Sequence, residues 1–364
     1  MNSRIIVSED DFTLEFRTIH HFAPADRETL LQDIIGPDGY VLQEKIILPP
    51  HLEDSATEYS AQSIDPLKCN SPLILIGHPD LPVQYSSLIA RPKQGRSRAE
   101  KRDNAIKVTA DGINLLFSAP LFSGAEKTVG SFSSAFGKVS GVLRNCGMEE
   151  ASIARTWLYL DDVLNDYHLL NEARESFFAR WYSPGNHFIP ASTGIEGHVA
   201  GLRPLTIQFG AFSGKRVSIR QQASPLQNEA TRYGKLFSRC VVVELPRHQF
   251  VYVSGTASID KAGISVYKDD FDKQLVFTLE VLSAILREVN GSFTNVVQAS
   301  VFLKKHEDFD VCQRILSRAG FPRSQTLFHL NTPVCRDDLL CEIELTAVTK
   351  RDPGENPKGD KVNP

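Results

Sequence analysis

Hydrophobic positions recur at helical spacing in two stretches of the chain, each followed by an apolar run and a second helical stretch. From Val129 to Cys146, Phe132, Phe136, Val139 and Leu143 fall on one stripe. The run Ile153-Ala154-Arg155-Thr156-Trp157-Leu158-Tyr159-Leu160 predicts a buried strand. Asp161-Asp162 then opens a helix through Tyr167, Leu170, Asn171, Arg174 and Phe178. The same order returns downstream. Asp272 to Val289 carries Leu275, Leu279, Leu282 and Ile285 on one stripe, Val296 to Leu303 reads as a strand, and Lys304-Lys305 precedes a helix with Phe309, Cys312, Ile315 and Leu316. Both strands end in an aromatic residue and a leucine, Tyr159-Leu160 and Phe302-Leu303, so the chain contains an internal duplication.

Further strands flank these helices. Phe250 to Gly255 precedes the second copy, and Cys341, Ile343, Leu345 and Ala347 alternate along Leu339 to Thr349, setting one face on the core and the other toward a site. Leu73 to Gly77 reads as a strand, and Ile106 to Ser118 as two strands joined at Asp111-Gly112. The first hundred residues are otherwise rich in turn formers: Gly36-Pro37-Asp38-Gly39, Pro49-Pro50 and a polar stretch from Asp54 to Asp65. The pattern predicts an α+β fold with helices packed against mixed sheets. The expected units are residues 1–195, including an N-terminal extension without a recognisable motif, residues 196–350, and a disordered tail over 351–364.

Composition narrows the function. A length of 364 residues allows two domains, and 41% hydrophobic with 23% charged residues is ordinary for a globular protein. A formal net charge of −4 argues against nucleic acid as partner. The one basic cluster, from Arg91 through Lys93, Arg96, Arg98, Lys101 and Arg102, sits among Gly, Pro and Ser and reads as a solvated loop. Six scattered cysteines form no CxxC pair and no zinc spacing, which predicts a reducing, cytoplasmic setting. There is no apolar signal core at the start and no run long enough for a membrane span, so no membrane partner is expected. The histidines, His20, His21, His78, His187, His198, His248, His306 and His329 among them, show no ligand spacing, and neither a phosphate loop nor a GxSxG motif is present. The expectation is an enzyme or binding protein needing neither metal nor organic cofactor.

The segments Phe250-Val251-Tyr252-Val253-Ser254-Gly255-Thr256, the helix with Gln274 and Thr278-Leu279, Val301-Phe302-Leu303 and Glu342-Ile343-Glu344 resemble a Rid (YjgF-like) domain. Between roughly residues 70 and 350 the chain resembles the chorismatase family. The segments that carry this are Arg155 to Asp162, Pro190 to Ile195, Tyr233 to Arg239, Val253 to Ile259 and Val334 to Glu344, in this order. The resemblance implies two Rid/YjgF-like (chorismate mutase-like) halves, as a monomer or a Rid-like trimer, and chorismate as the small-molecule substrate. It further implies release of pyruvate by protonation of the enol methylene, giving 3-hydroxybenzoate and in some relatives 4-hydroxybenzoate.

On residue type alone, Glu342 reads as a strand-edge ion-pair partner and Cys335 as an inert buried thiol. The resemblance instead makes Glu342 the catalytic acid, and makes Cys335 the residue that separates 3-hydroxybenzoate formation from hydrolysis to a dihydroxy-cyclohexadiene carboxylate. For the substrate carboxylates, cationic and hydrogen-bonding candidates are Arg155, Arg239 and Arg336 with Tyr233 and Thr193. If extended, the chain at Cys335 turns Arg336 to the opposite side, and Gly194 after Thr193 is equally an ordinary turn residue or a close backbone approach to an anion. Competing expectations are a hydrolytic chorismatase, a Rid-type imine deaminase and a non-enzymatic ligand-sensing or scaffold protein.

Overall fold

Several strands, Leu73–Ile76, Ile153–Leu160 and Cys240–Glu244 among them, are buried along most of their length, so each sheet needs cover on both faces. In a computed structural model the solution is three sheets sharing one core. The structure describes residues 2–21, 27, 29, 31–32, 38–55, 67–181, 188–199 and 203–351. The expected polar stretch after residue 55 and the expected tail lie almost wholly outside these residues.

The first sheet comprises β1 (Asn2–Ser8), β2 (Phe12–His20), β3 (Tyr40–Leu48), β4 (Leu73–Ile76) and β5 (Gln84–Pro92), in the order β1-β2-β5-β3-β4. The second contains β6 (Ser97–Arg102), β7 (Ala105–Ala110), β8 (Ile113–Ser118), the short β9 (Leu121–Phe122), β10 (Ile153–Leu160), β11 (Ala191–Glu196) and β12 (Leu205–Ser213). Its order is β6-β7-β8-β12-β10-β11. The third is built from β13 (Ser218–Gln222), β14 (Cys240–Glu244), β15 (His248–Thr256), β16 (Val296–Leu303), β17 (Thr326–His329) and β18 (Cys341–Lys350), in the order β13-β14-β15-β18-β16-β17. The basic cluster is a loop only in part: residues 93–96 form a turn, residues 97–102 form β6, paired to β7, and Arg91 lies on β5 beside Glu15.

Helix α1 (Val129–Asn145) and α2 (Val163–Phe178) cover the second sheet, and α3 (Phe271–Arg287) and α4 (Phe309–Arg318) the third. Thr128, Asp162 and Asp270 cap the first three of these by accepting from the backbone N–H three residues on. The duplicated helix–strand–helix units therefore form as the sequence predicts, and the fold is α+β. Strand β12 lies beyond residue 195, where the sequence reading put the divide, yet pairs with both β10 and β8 in the second sheet.

The three sheets repeat one pattern. In each, a strand (β3, β10 or β16) runs parallel to a short edge strand and antiparallel to a later one, which pairs in turn with an earlier strand. The carbonyls of Leu48, Leu160 and Leu303, at the strand ends, accept from Gly77, Gly197 and Thr332 just past the edge strands. That fixes the register across repeats. One residue earlier, Ile47 faces Gln84, Tyr159 faces Thr206 and Phe302 faces Glu342. Gln84, Thr206 and Glu342 therefore hold one position in three repeats. The inner faces meet in a shared core that includes Phe12, Phe16, Phe117, Phe212, Phe250 and Tyr252, while alternate residues such as Val251 and Val253 face the helices.

Candidate active site

Where the second repeat meets the third, serines fasten the seam. Ser254 on β15 accepts from the backbone N–H of Ser192 on β11 at 2.7 Å and donates to the Ser238 carbonyl at 2.5 Å. Past this seam the two repeats diverge around a cavity of about 190 Å³.

Glu342, on β18, reaches into this cavity from the third repeat and is 5% exposed. Among the described residues, no hydrogen bond holds its carboxyl. Burial, reinforced by the neighbouring Glu344 charge and only partly offset by Arg239 and Arg155, pushes it up to about 8. It is therefore a protonated acid at neutral pH. Gly255 makes room for it: a Cβ there would lie 1.8 Å from Glu342 Oε1.

The wall opposite is cationic and aromatic. After the short helix Ala230–Tyr233, Gly234 takes a left-handed φ of 74° and residues 235–239 lead into β14. With period two, Tyr233, Lys235, Phe237 and Arg239 turn toward the cavity. Arg239 is 1% exposed, donates to the Tyr233 hydroxyl and, at 3.1 Å, to the Asn228 carbonyl. Phe237 lies between Arg239 and Arg174, with ring-centroid distances of 5.4 and 5.7 Å. From α2 come Tyr167 and Arg174, seven residues apart on the face that meets the seam. Arg174 is buried with its Nε unpartnered. Burial and the neighbouring Arg174 lower the Lys235 ammonium, whose Nζ sits 5.3 Å over the Tyr167 ring.

Cys335 and Arg336 both line the cavity, because residues 335–338 bend and turn rather than extend. Alternation thus misplaces Arg336, whose guanidinium donates to the Gly263 carbonyl at 2.7 Å. Burial and the Glu342 charge push the half-buried Cys335 thiol up to about 12, so it is a neutral S–H.

Two of the sequence-predicted residues stand behind the wall. Arg155 does not line the cavity. Its guanidinium donates to Glu344 and to Thr193 Oγ1, both at 2.5 Å, because it faces the centre where the three repeats meet. Thr193 also accepts from the Gly255 N–H at 3.1 Å. Lys45 of the first repeat, 3.6 Å from Glu344, completes this buried group. Glu344 is consequently held below the usual carboxylate range by Lys45 and Arg155, against the effect of burial. Adjacent acids on one strand face thus stand in opposite protonation states.

Sequence reasoning passed over Tyr167, Arg174, Lys235, Phe237 and Ser192 as site residues. The alternation from Tyr233 to Arg239 was a usable signal, and so was the buried-side pairing of Tyr167 with Arg174. His78, Asp80 and His306, which no sequence spacing joins, come together in space with their donor atoms within 4.8 Å.

A family model described as Endoribonuclease L-PSP matches residues 235–349, which fall in the third repeat. The chain is 30% identical over 102 residues to the RutC family protein UK114 of Drosophila melanogaster, covering 27% of this chain and 72% of that protein. The chain belongs to the RutC family. Over a longer span it is 24% identical to a 3-hydroxybenzoate synthase of Streptomyces hygroscopicus, across 306 residues that make up 76% of this chain and 87% of that one. A solved chorismatase superposes with a TM-score of 0.70 at 18% identity, covering 93% of this chain and 100% of its own. The whole RutC-family chain therefore has the chorismatase fold, first and second repeats included. Among the described residues, no helix is long and apolar enough to cross a membrane.

Proposed function

We propose that this chain removes pyruvate from chorismate and forms 3-hydroxybenzoate, with Glu342 as the proton donor. The observation that carries the reading is a buried carboxyl, raised to about 8, opening on a cavity ringed by Arg174, Lys235, Arg239 and Arg336. Four cations against one neutral acid suit a dicarboxylate, and fixed guanidinium groups pair with carboxylates in a defined geometry. The relative named 3-hydroxybenzoate synthase supports the choice of product.

In the proposed reaction, Glu342 gives its proton to the enol methylene, which becomes the methyl group of pyruvate. The ring carbon–oxygen bond breaks with its electron pair going to the pyruvate carbonyl. The neighbouring ring hydroxyl gives its proton to the Glu342 carboxylate and closes on the vacated carbon as an arene oxide; its oxygen takes up a proton from solvent as the ring opens, and the ring C–H proton leaves to solvent as the ring aromatises. Glu342 ends protonated, solvent gives and takes one proton, and no water is consumed. The neutral Cys335 thiol is a weak donor placed on the cavity wall to steer that opening. Arg155 and Thr193 act as positioning residues, holding Glu344 and the Gly255 backbone behind the acid.

Incubation with chorismate and chromatographic separation of the products tests this. Pyruvate and 3-hydroxybenzoate in equal amounts are expected, and Glu342→Gln should lower their release by about 10²–10⁴-fold while the protein stays folded. A diene-diol as sole product would make the enzyme hydrolytic. Ammonia release from an imino acid, without pyruvate from chorismate, would make it an imine deaminase.

A further inference from the structure

His78 and His306, distant in sequence, meet where strands of the first and third sheets end. His78 follows Gly77, whose N–H donates to the Leu48 carbonyl at 2.7 Å, and a turn closed by the Leu81 N–H on the His78 carbonyl holds it there. His306 opens the short helix His306–Asp308 after β16, and its N–H donates to Asn331 Oδ1 at 3.0 Å. Both backbones are thus anchored. The two imidazole rings stack with centroids 4.9 Å apart and planes 21° from parallel. Asp80 completes the group, whose donor atoms lie within 4.8 Å of one another.

The contacts within this group call for a cation. The Asp80 N–H donates to His78 Nδ1 at 3.3 Å, so that nitrogen presents a lone pair and has no proton to give. Yet Asp80 Oδ2 stands 3.5 Å from the same nitrogen. Two acceptors face each other, an arrangement that a shared positive charge relieves. Their spacing suits a metal as well, since ligand atoms each about 2.0–2.1 Å from a tetrahedral zinc ion lie about 3.3 Å apart. His306 is exposed, and its ring has the freedom to close a remaining gap of about 1.5 Å or less. Glu307 Oε2, 3.4 Å from His306 Nδ1, adds a second negative charge to offset a divalent ion.

The second repeat supplies a contrast. Gly197 pairs with Leu160 as Gly77 does with Leu48, which puts His198 in the place of His78. Its Nδ1 also lies beside a carboxylate, 3.2 Å from Asp161 Oδ1. There Lys127 Nζ stands 3.7 Å from the other oxygen and already supplies the positive charge. No second histidine joins it, and no such group forms there among the described residues. We propose that His78, Asp80 and His306 bind a zinc ion that fastens the first repeat to the third. Imidazole nitrogens select such an ion over Mg²⁺ or Ca²⁺, which take oxygen ligands. None of the three side chains lines the cavity that holds Glu342, so the site stands whatever reaction that cavity performs.

Calorimetric titration of the full, chelator-treated chain with zinc chloride is the test. One ion per chain is expected, with no uptake of Mg²⁺ at the same concentration. Asp80→Asn and His306→Ala, both at exposed positions where substitution leaves folding intact, should each weaken zinc uptake at least about tenfold. His198→Ala should bind as the wild type does. Zinc should also raise the Tm of the wild type and of His198→Ala but not that of His306→Ala, because a site present only in the folded chain shifts unfolding. No zinc uptake, undiminished uptake in either ligand variant, or equal uptake of Mg²⁺ would each overturn the assignment.

Discussion

Glu342 and Glu344 differ by two positions on one strand, yet their surroundings drive them apart. Glu344 has Lys45 and Arg155 against it, whereas Glu342 has burial at the cavity wall, a glycine and the Glu344 charge itself. Because the protonated form of Glu342 is the proposed donor, turnover should fall as pH rises through about 8. In Glu344→Gln one of the two influences that raise the carboxyl is gone, so the falling limb of the pH–rate profile should move to lower pH. An unmoved limb would mean the two acids do not communicate. Folding carries the opposite bias. Above the ordinary carboxylate value of 4.5 the unfolded chain releases this proton while the folded chain keeps it, so stability declines as pH rises from there to about 8. Gly255 sets the second residue-scale prediction. In Gly255→Ala the new methyl meets Glu342 Oε1, the acid must swing away, and activity should drop at least tenfold with about 1–3 kcal/mol of lost stability in denaturant titration.

At the scale of elements, α2 and the strip from Tyr233 to Arg239 bring the cations to the acid. Arg174→Ala should raise KM about 10–100-fold with a smaller change in kcat, as expected for a group that binds a substrate carboxylate before and during reaction; steady-state kinetics read the split directly. Much of this level was legible in the chain. The stripes on α1 and α3 and the aromatic–leucine endings of β10 and β16 announced the duplication because helical period and strand length are local properties. The alternation of Cys341, Ile343, Leu345 and Ala347 likewise fixed which face of β18 met the helices. What stayed hidden was a bend: Arg336 would turn away from Cys335 only on an extended chain, and residues 335–338 are not extended. The partner of Arg155 was hidden for a related reason. A buried arginine on a central strand looks the same in sequence whether its partner is a ligand or a carboxylate from another repeat.

For the molecule as a whole, the first hundred residues hid the most. Their turn formers and short runs concealed a sheet with the same strand pattern as the other two, because the helical stripes that betrayed the duplication had no clear counterpart there. The Leu48–Gly77 hydrogen bond and the pairing of Ile47 with Gln84 put this repeat in register with Tyr159–Thr206 and Phe302–Glu342. Since three sheets already close around one core, the inner faces that separate chains would otherwise share are used up within a single polypeptide. The protein should therefore run as a monomer, with light scattering returning the mass of one chain; a threefold mass would show that another surface associates. The Lys45–Glu344–Arg155 group at the centre ties all three repeats by charge, and loss of Glu344 would strand both cations. Covalent linkage has one more effect. In a ring of identical subunits, any residue introduced at one junction is introduced at all of them, and a carboxylic acid kept out of water would weaken the assembly threefold. Here the liability of Glu342 is incurred once, and glutamine and threonine fill the sister positions, so the junctions are free to specialise.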